Sequence, residues 1–214
     1  MATTVYPSLP GFLASGKSHL AKGPVAMMFV EDDIEIDSTL RHHIDLGFKT
    51  VLAFVPEEFS LSEDVAHAVI RITHDVKRRG DFNAVVDQVI EAAPGLWMYY
   101  CFNAEYLFFP FCETRTVGEM LSYHTEERRN AMLTYVVDIY ARDLGRHPNA
   151  VSLEDAHLDR SGYYVLGRTD PETGVHKERQ LNFYGGLRWR YEEHVPKARR
   201  KIDRIAIFRA KPGL

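Results

Sequence analysis

The sequence predicts an α/β fold: a mostly parallel central sheet flanked by helices, with a mixed or antiparallel β extension in the last third. Three observations carry that expectation. Short apolar runs at 25–30, 49–55, 69–72 and 96–102 are strand candidates, and the uncharged, aromatic-rich run from Leu96 to Cys101 reads as a strand buried on both faces. Stretches with apolar residues at helical spacing separate several of them, the alternation that builds a parallel sheet covered on both faces. After Pro148 the pattern changes to short β-prone runs around turn signals.

Taken in order, residues 1–23 hold Pro7, Pro10, Gly11, Gly16 and Gly23 with little periodicity, and are expected to be a mobile or surface-hugging lead-in to a single domain over 24–214. The strand at 25–30 is followed by a helix over 34–46, with Ile36, Leu40, His43 and Ile44 at helical spacing and Gly47 as its stop. A strand over 49–55 and a third within 65–73 come next. Asp81 then caps a helix over 81–93 whose apolar face is Phe82, Val85, Val86, Val89 and Ile90. Pro94-Gly95 introduces the strand at 96–102. Beyond it the spacing predicts one long helix over 125–141, with Ala131, Met132, Tyr135, Val136 and Ile139 as its buried stripe. Runs at 163–166 and 179–183 flank the turn Asp170-Pro171-Glu172-Thr173-Gly174. No internal repeat is visible.

With 45% hydrophobic and 26% charged residues, the 214-residue chain has the composition of a globular protein with one sizeable core. A net charge of -4 gives no overall pull toward nucleic acid. The two cysteines, Cys101 and Cys112, have neither disulfide-framework nor zinc spacing, and a reducing cytoplasm is the expected compartment. No apolar run reaches the ~20 residues of a membrane span, so no transmembrane segment is expected; peripheral membrane contact stays compatible with the chain.

The segment Gly11-Phe12-Leu13-Ala14-Ser15-Gly16-Lys17-Ser18 matches the spacing of a phosphate-binding P-loop. Its context does not. Such a loop needs a buried strand before it and a long helix after it, whereas Pro7 and Pro10 precede this one and Gly23-Pro24 closes it.

Chemistry is expected where the strand at 96–102 ends. Ligands of open α/β sheets bind beyond the carboxyl ends of such strands, which places Asn103 and Glu105 at a crevice mouth. Glu105 is the only ionisable carboxylate between Ala93 and Cys112, either a general base in apolar company or a satisfied acid bonded to backbone or arginine. Glu31 and Asp32 close the first strand as candidate ligands of a base, a ribose or a divalent cation, or as acids that favour a helix start. In the stretch Arg188-Trp189-Arg190-Tyr191-Glu192-Glu193-His194, a strand would put Arg188 and Arg190 on one face with Glu192 and His194. That row would clamp a diphosphate or make cross-strand ion pairs. A basic tail follows from Lys197 onward. The histidines show no metal-ligand spacing, and no metal ligands are assigned.

The layout resembles the family 2-like glycosyltransferases of the GT-A fold, in a bacterial branch with an acid-ended first strand and a helix running into His-His-x-x-Leu-Gly. Here that helix reads Leu40-Arg41-His42-His43-Ile44-Asp45-Leu46-Gly47. The resemblance continues through Leu96-Trp97 into Glu105-Tyr106-Leu107, and again at Gly185-Gly186-Leu187-Arg188-Trp189-Arg190. It implies a GT-A-like domain that transfers a sugar from a nucleotide-sugar donor to a glycan acceptor. Where relatives carry the metal-holding Asp-x-Asp-Glu-Phe segment, this chain has Phe102-Asn103-Ala104-Glu105-Tyr106. Transfer without the usual bound divalent metal is therefore expected. Glu31, Asp32 and Asn103 would hold the nucleotide, Glu105 would act as base, and Arg188, Arg190 and His194 would face the diphosphate. The missing aspartates equally suit an inactive GT-A-like binding or assembly module in polysaccharide production. The chain also ends early for a GT-A enzyme, as a C-terminally truncated piece would.

Overall fold

The computed structural model describes residues 3–213. The chain opens with strand β1 (Thr4–Tyr6), helix α1 (Leu9–Ser15) and a 3-10 turn (Lys17–Leu20), then runs β2 (Val25–Phe29), α2 (Ile36–Asp45), β3 (Thr50–Val55), α3 (Glu63–Ala68) and β4 (Ile70–Thr73). Two helices, α4 (Val76–Arg79) and α5 (Phe82–Ala92), lead to β5 (Trp97–Phe102), and α6 (Val117–Glu126) precedes β6 (Ala131–Tyr135). Then come β7 (Ile139–Ala141), β8 (Ala156–Leu158), β9 (Tyr164–Thr169), β10 (His176–Tyr184), α7 (Leu187–Arg190) and β11 (Asp203–Arg209).

The central sheet has seven strands in the order β1-β4-β3-β2-β5-β11-β6. The first five are mutually parallel, and β11 runs antiparallel to β5. Phe102, Phe29, Phe54 and Ile72 lie opposite one another, so four strands reach their carboxyl ends together.

Every residue of β2 and β3 is buried, which is why their sequences run apolar without alternation. Ala26 and Met28 face one layer with Leu40 of α2 and Val117 and Leu121 of α6. Val25, Met27 and Phe29 face the other, with Phe12 of α1 and Val85 and Val89 of α5. Each such side chain contributes roughly 1.5–3 kcal/mol by leaving water, so the two layers together dominate the folding of this part of the chain.

Four expectations are corrected. The lead-in is part of the fold from Thr4 onward: β1 pairs with β4, and Leu9, Phe12 and Leu20 are buried. Its supposed breakers cap the helix instead, since the Ser8 side chain accepts from the Gly11 N–H and Pro10 sits in the first turn, where no N–H is needed. Residues 1–2 of the expected lead-in lie outside the described residues. The P-loop-like glycine Gly11 is itself helical.

The long helix over 125–141 is replaced by α6 and the strands β6 and β7. A Thr116–Glu119 capping box starts α6 well before residue 125, and Arg128 at φ 56 ends it. The stripe assigned to that helix contains β-branched Val136 and Ile139, and exposure alternates along β6. Arg188 and Arg190, expected on a strand, lie on the single turn of α7 after Gly186 at φ 60.

The single domain over 24–214 gives way to two compact units, Met1–Met132 with Ala206–Leu214, and Leu133–Ile205. The second unit holds the antiparallel hairpin of β9 and β10, shifted in register between His176 and Leu181, and the short β7–β8 pair. All of β9 is exposed, so this unit depends on backbone pairing and ion pairs more than on a core. Among the described residues, no helix is long and apolar enough to cross a membrane.

Candidate functional site

β2 has β3 on one side and β5 on the other. The helix that follows β2, α2, covers one face of the sheet, while α5, which leads into β5, covers the other. The chain leaves β2 toward β3 on one side and leaves β5 toward β6 on the other, so the strand order reverses between them, and the gap beyond such a pair is where open α/β sheets take ligands. Glu31, Asp32 and Asp33 follow β2 at this point, and Asn103, Ala104 and Glu105 follow β5.

Asn103 joins the two strand ends. Its own N–H donates to the Phe29 carbonyl at 3.1 Å, and its Oδ1 accepts the Glu31 N–H at 2.8 Å. Its Nδ2 donates to Asp32 Oδ1 at 2.7 Å and to the Ile34 carbonyl at 2.8 Å. Asp32 Oδ1 also accepts the Ile34 N–H at 3.0 Å, which closes the loop on itself. Three of the residues expected at the nucleotide thus meet, but Asn103 acts by shaping the loop that carries Glu31 and Asp32.

A second layer supports the first. Glu35 at φ 52 and Ala104 at φ 59 occupy the left-handed region, which costs a side-chain-bearing residue about 1 kcal/mol. Thr39 holds both: its Oγ1 donates to the Glu35 carbonyl at 2.5 Å and accepts the Ala104 N–H at 2.9 Å. Ser38 Oγ bonds to the Glu35 carboxylate and to the Tyr106 hydroxyl.

Glu105 is half-buried and turned back on its own strand, with Oε2 accepting the Phe102 N–H at 2.9 Å. Of its two readings, the acid satisfied by backbone describes this oxygen. Behind it, His42 Nε2 donates to the Leu107 carbonyl at 2.8 Å, and the ring packs on Tyr106 and Phe108. His43 is fully buried and stacked against Tyr99. Its Nδ1 lies 2.7 Å from the Thr39 carbonyl and must carry the proton, leaving Nε2 as acceptor toward the Cys101 thiol at 3.8 Å. Burial pushes its pKa down to about 4, against the opposing bond to Thr39.

The remaining candidates belong to the second unit. Arg188 forks onto Asp138 at 2.6 and 2.9 Å and donates to the Lys201 carbonyl at 2.7 Å. Arg190 pairs with Asp159 at 2.7 Å, a carboxylate only 4% exposed. Residues two apart on a helical turn point about 200° apart, so the two guanidinium groups serve separate acids rather than one row. His194 is exposed, 3.7 Å from Glu193. An open hollow of about 500 Å³ in this unit is lined by Arg142, Asp143, Leu144, Arg146 and Asp155.

Asn103 and Glu105 are not arranged as ligands of a divalent metal. Asn103 turns its amide nitrogen, which is not a metal ligand, toward Asp32, and Glu105 Oε2 is bonded to backbone. Among the described residues no three His, Cys, Asp or Glu side chains are grouped as a ligand set. Ser38 and Thr39 went unread in the sequence, where hydroxyls in the first turn of the helix after a strand are the only signal they leave, and Tyr106 entered only through the resemblance. The chain matches no family model, no curated protein and no solved structure.

Proposed function

We propose that this protein binds a nucleotide-sugar donor at the β2–β5 switch point and is a glycosyltransferase of the family 2-like, GT-A kind. The observation that carries the reading is the Asn103 bridge. It presents the acidic loop of Glu31 and Asp32 in one shape at the place where open sheets take ligands. Carboxylates there suit the hydroxyls of a ribose and the N–H edge of a base, both hydrogen-bond donors. Glu105, two residues beyond Asn103, is the carboxylate that this reading assigns to proton transfer from an acceptor hydroxyl.

Titration calorimetry with nucleoside diphosphates and nucleotide sugars, with and without Mn²⁺, tests the binding. Saturable heat with one base class is expected, and silence throughout the panel would overturn the reading. Glu105→Gln keeps an oxygen for the Phe102 N–H while removing the base. Loss of turnover at unchanged Tm is expected, and full activity would remove Glu105 from the mechanism.

The second reading, a donor-binding module without transfer in polysaccharide production, is favoured by one observation: the Glu105 oxygen that would take the proton already accepts a backbone N–H. Binding of the donor with neither hydrolysis nor transfer by the wild-type protein would decide for it.

A further inference from the structure

Resting on the nucleotide-binding reading above, we propose that the donor's diphosphate is neutralised by the basic turn Lys77-Arg78-Arg79, which the start of α5 brings to the β2–β5 switch point. The placement comes from Phe82. Its ring packs 4.9 Å from Phe29 and 5.4 Å from Phe102, the last residues of β2 and β5. The segment that links β4 to α5 therefore ends beside the last residues of these strands, on the α5 face of the sheet, and Arg79 is three residues before Phe82, within about 10 Å of it along the chain.

Charge in this unit points the same way. A diphosphate beside Glu31, Asp32 and Asp33 needs cations, and the other arginines that precede α4 are committed. Arg41 is bonded to Asp64 and Ser62. Arg71 donates to the carbonyls of Pro56 and Phe59. Lys77, Arg78 and Arg79 are all exposed, and among the described residues only Arg78 of the three has an ion pair, with Asp75 at 3.2 Å.

The 11-residue helix α5 adds to this. No acid occupies its first turn, and the Asp81 carboxylate faces His74 Nε2 at 2.9 Å rather than capping the helix. The first-turn N–H groups of α5 thus donate to no side-chain cap, and the helix dipole adds to the positive field of the basic turn. The basic turn is assigned the role expected of Arg188 and Arg190, each of which is held by its own carboxylate.

The test compares wild type with Lys77→Gln/Arg79→Gln by calorimetry at low and high salt, using UDP, GDP, ADP and CDP and the four corresponding nucleosides. Wild type is expected to bind one nucleoside and to bind its diphosphate more tightly, with added salt eroding the difference. The variant is expected to lose on the order of tenfold in diphosphate affinity per cation and to keep its nucleoside affinity. Arg41→Gln is the control and should change neither. An unchanged diphosphate affinity in the variant overturns this inference and leaves the nucleotide reading standing, as does an equal loss for nucleoside and diphosphate. A wild-type protein that binds none of the eight compounds overturns both.

Discussion

Asn103 Nδ2 lies 2.7 Å from Asp32 Oδ1, so one amide spans the gap between the ends of two neighbouring parallel strands. The same side chain accepts the Glu31 N–H, which takes an acceptor oxygen and a two-hydrogen donor nitrogen as separate atoms on one short stem. Asn103→Ala should cost about 2 kcal/mol, since the bonds are half-buried and water replaces part of them. Asn103→Asp should cost more at neutral pH, because it sets two carboxylates in contact, and should recover part of the loss in acid. Urea unfolding of the two variants across pH checks this; equal stability at neutral pH would show that the amide donor carries no weight.

His43 predicts a pH dependence with a definite sign. Its pKa falls from 6.5 to about 4 on folding, chiefly through burial. Above 6.5 the ring is neutral in both states and stability is complete. As pH falls from 6.5 to 4 the unfolded chain binds the proton first, and stability declines by about 3 kcal/mol. Unfolding free energies of wild type and His43→Gln over this window provide the measurement. The variant should start lower and lose less; parallel curves would remove His43 as the cause.

In the second unit, Asp159 is buried and its Oδ2 has no hydrogen-bond partner among the described residues, so Arg190 is its main compensation. Arg190 itself is half-exposed, which reduces the worth of the pair. Arg190→Met should destabilise this unit by about 2 kcal/mol, and adding Asp159→Leu should restore most of the loss. The hairpin's near-ultraviolet signal during thermal unfolding reports it. A double variant no more stable than the single one would contradict the account.

Phe12 decides whether the N-terminal segment belongs to the fold. It is fully buried, with Tyr6 edge-on at 5.2 Å. Phe12→Ala should cost about 3–5 kcal/mol in urea unfolding, whereas a segment that merely lies on the surface would lose almost nothing.

The strands of the parallel sheet were legible because a strand buried on both faces must be apolar throughout, and β2, β3 and β5 are. The β9–β10 hairpin was legible from its Asp170-Pro171 turn. The α6–β6 boundary was not, because Ala131, Met132, Tyr135 and Val136 fall at helical spacing and only pairing with β11 selects the strand. Of the candidate site, Glu31, Asp32 and Asn103 were named from their positions at strand ends. The roles of Thr39 and Phe82 depend on contacts across 65 and 53 residues of chain, which no local pattern carries.

By itself the sequence determined the α/β class, the parallel strands and the acidic strand end, since these follow from periodicity and local turn chemistry. Only the tertiary structure decided that Asn103 is a bridge, that Glu105 is tied to its own backbone, and that Arg188 and Arg190 answer to different carboxylates. The physical reason is that a polar side chain's role is set by the partner that satisfies it, and in this fold those partners come from distant parts of the chain.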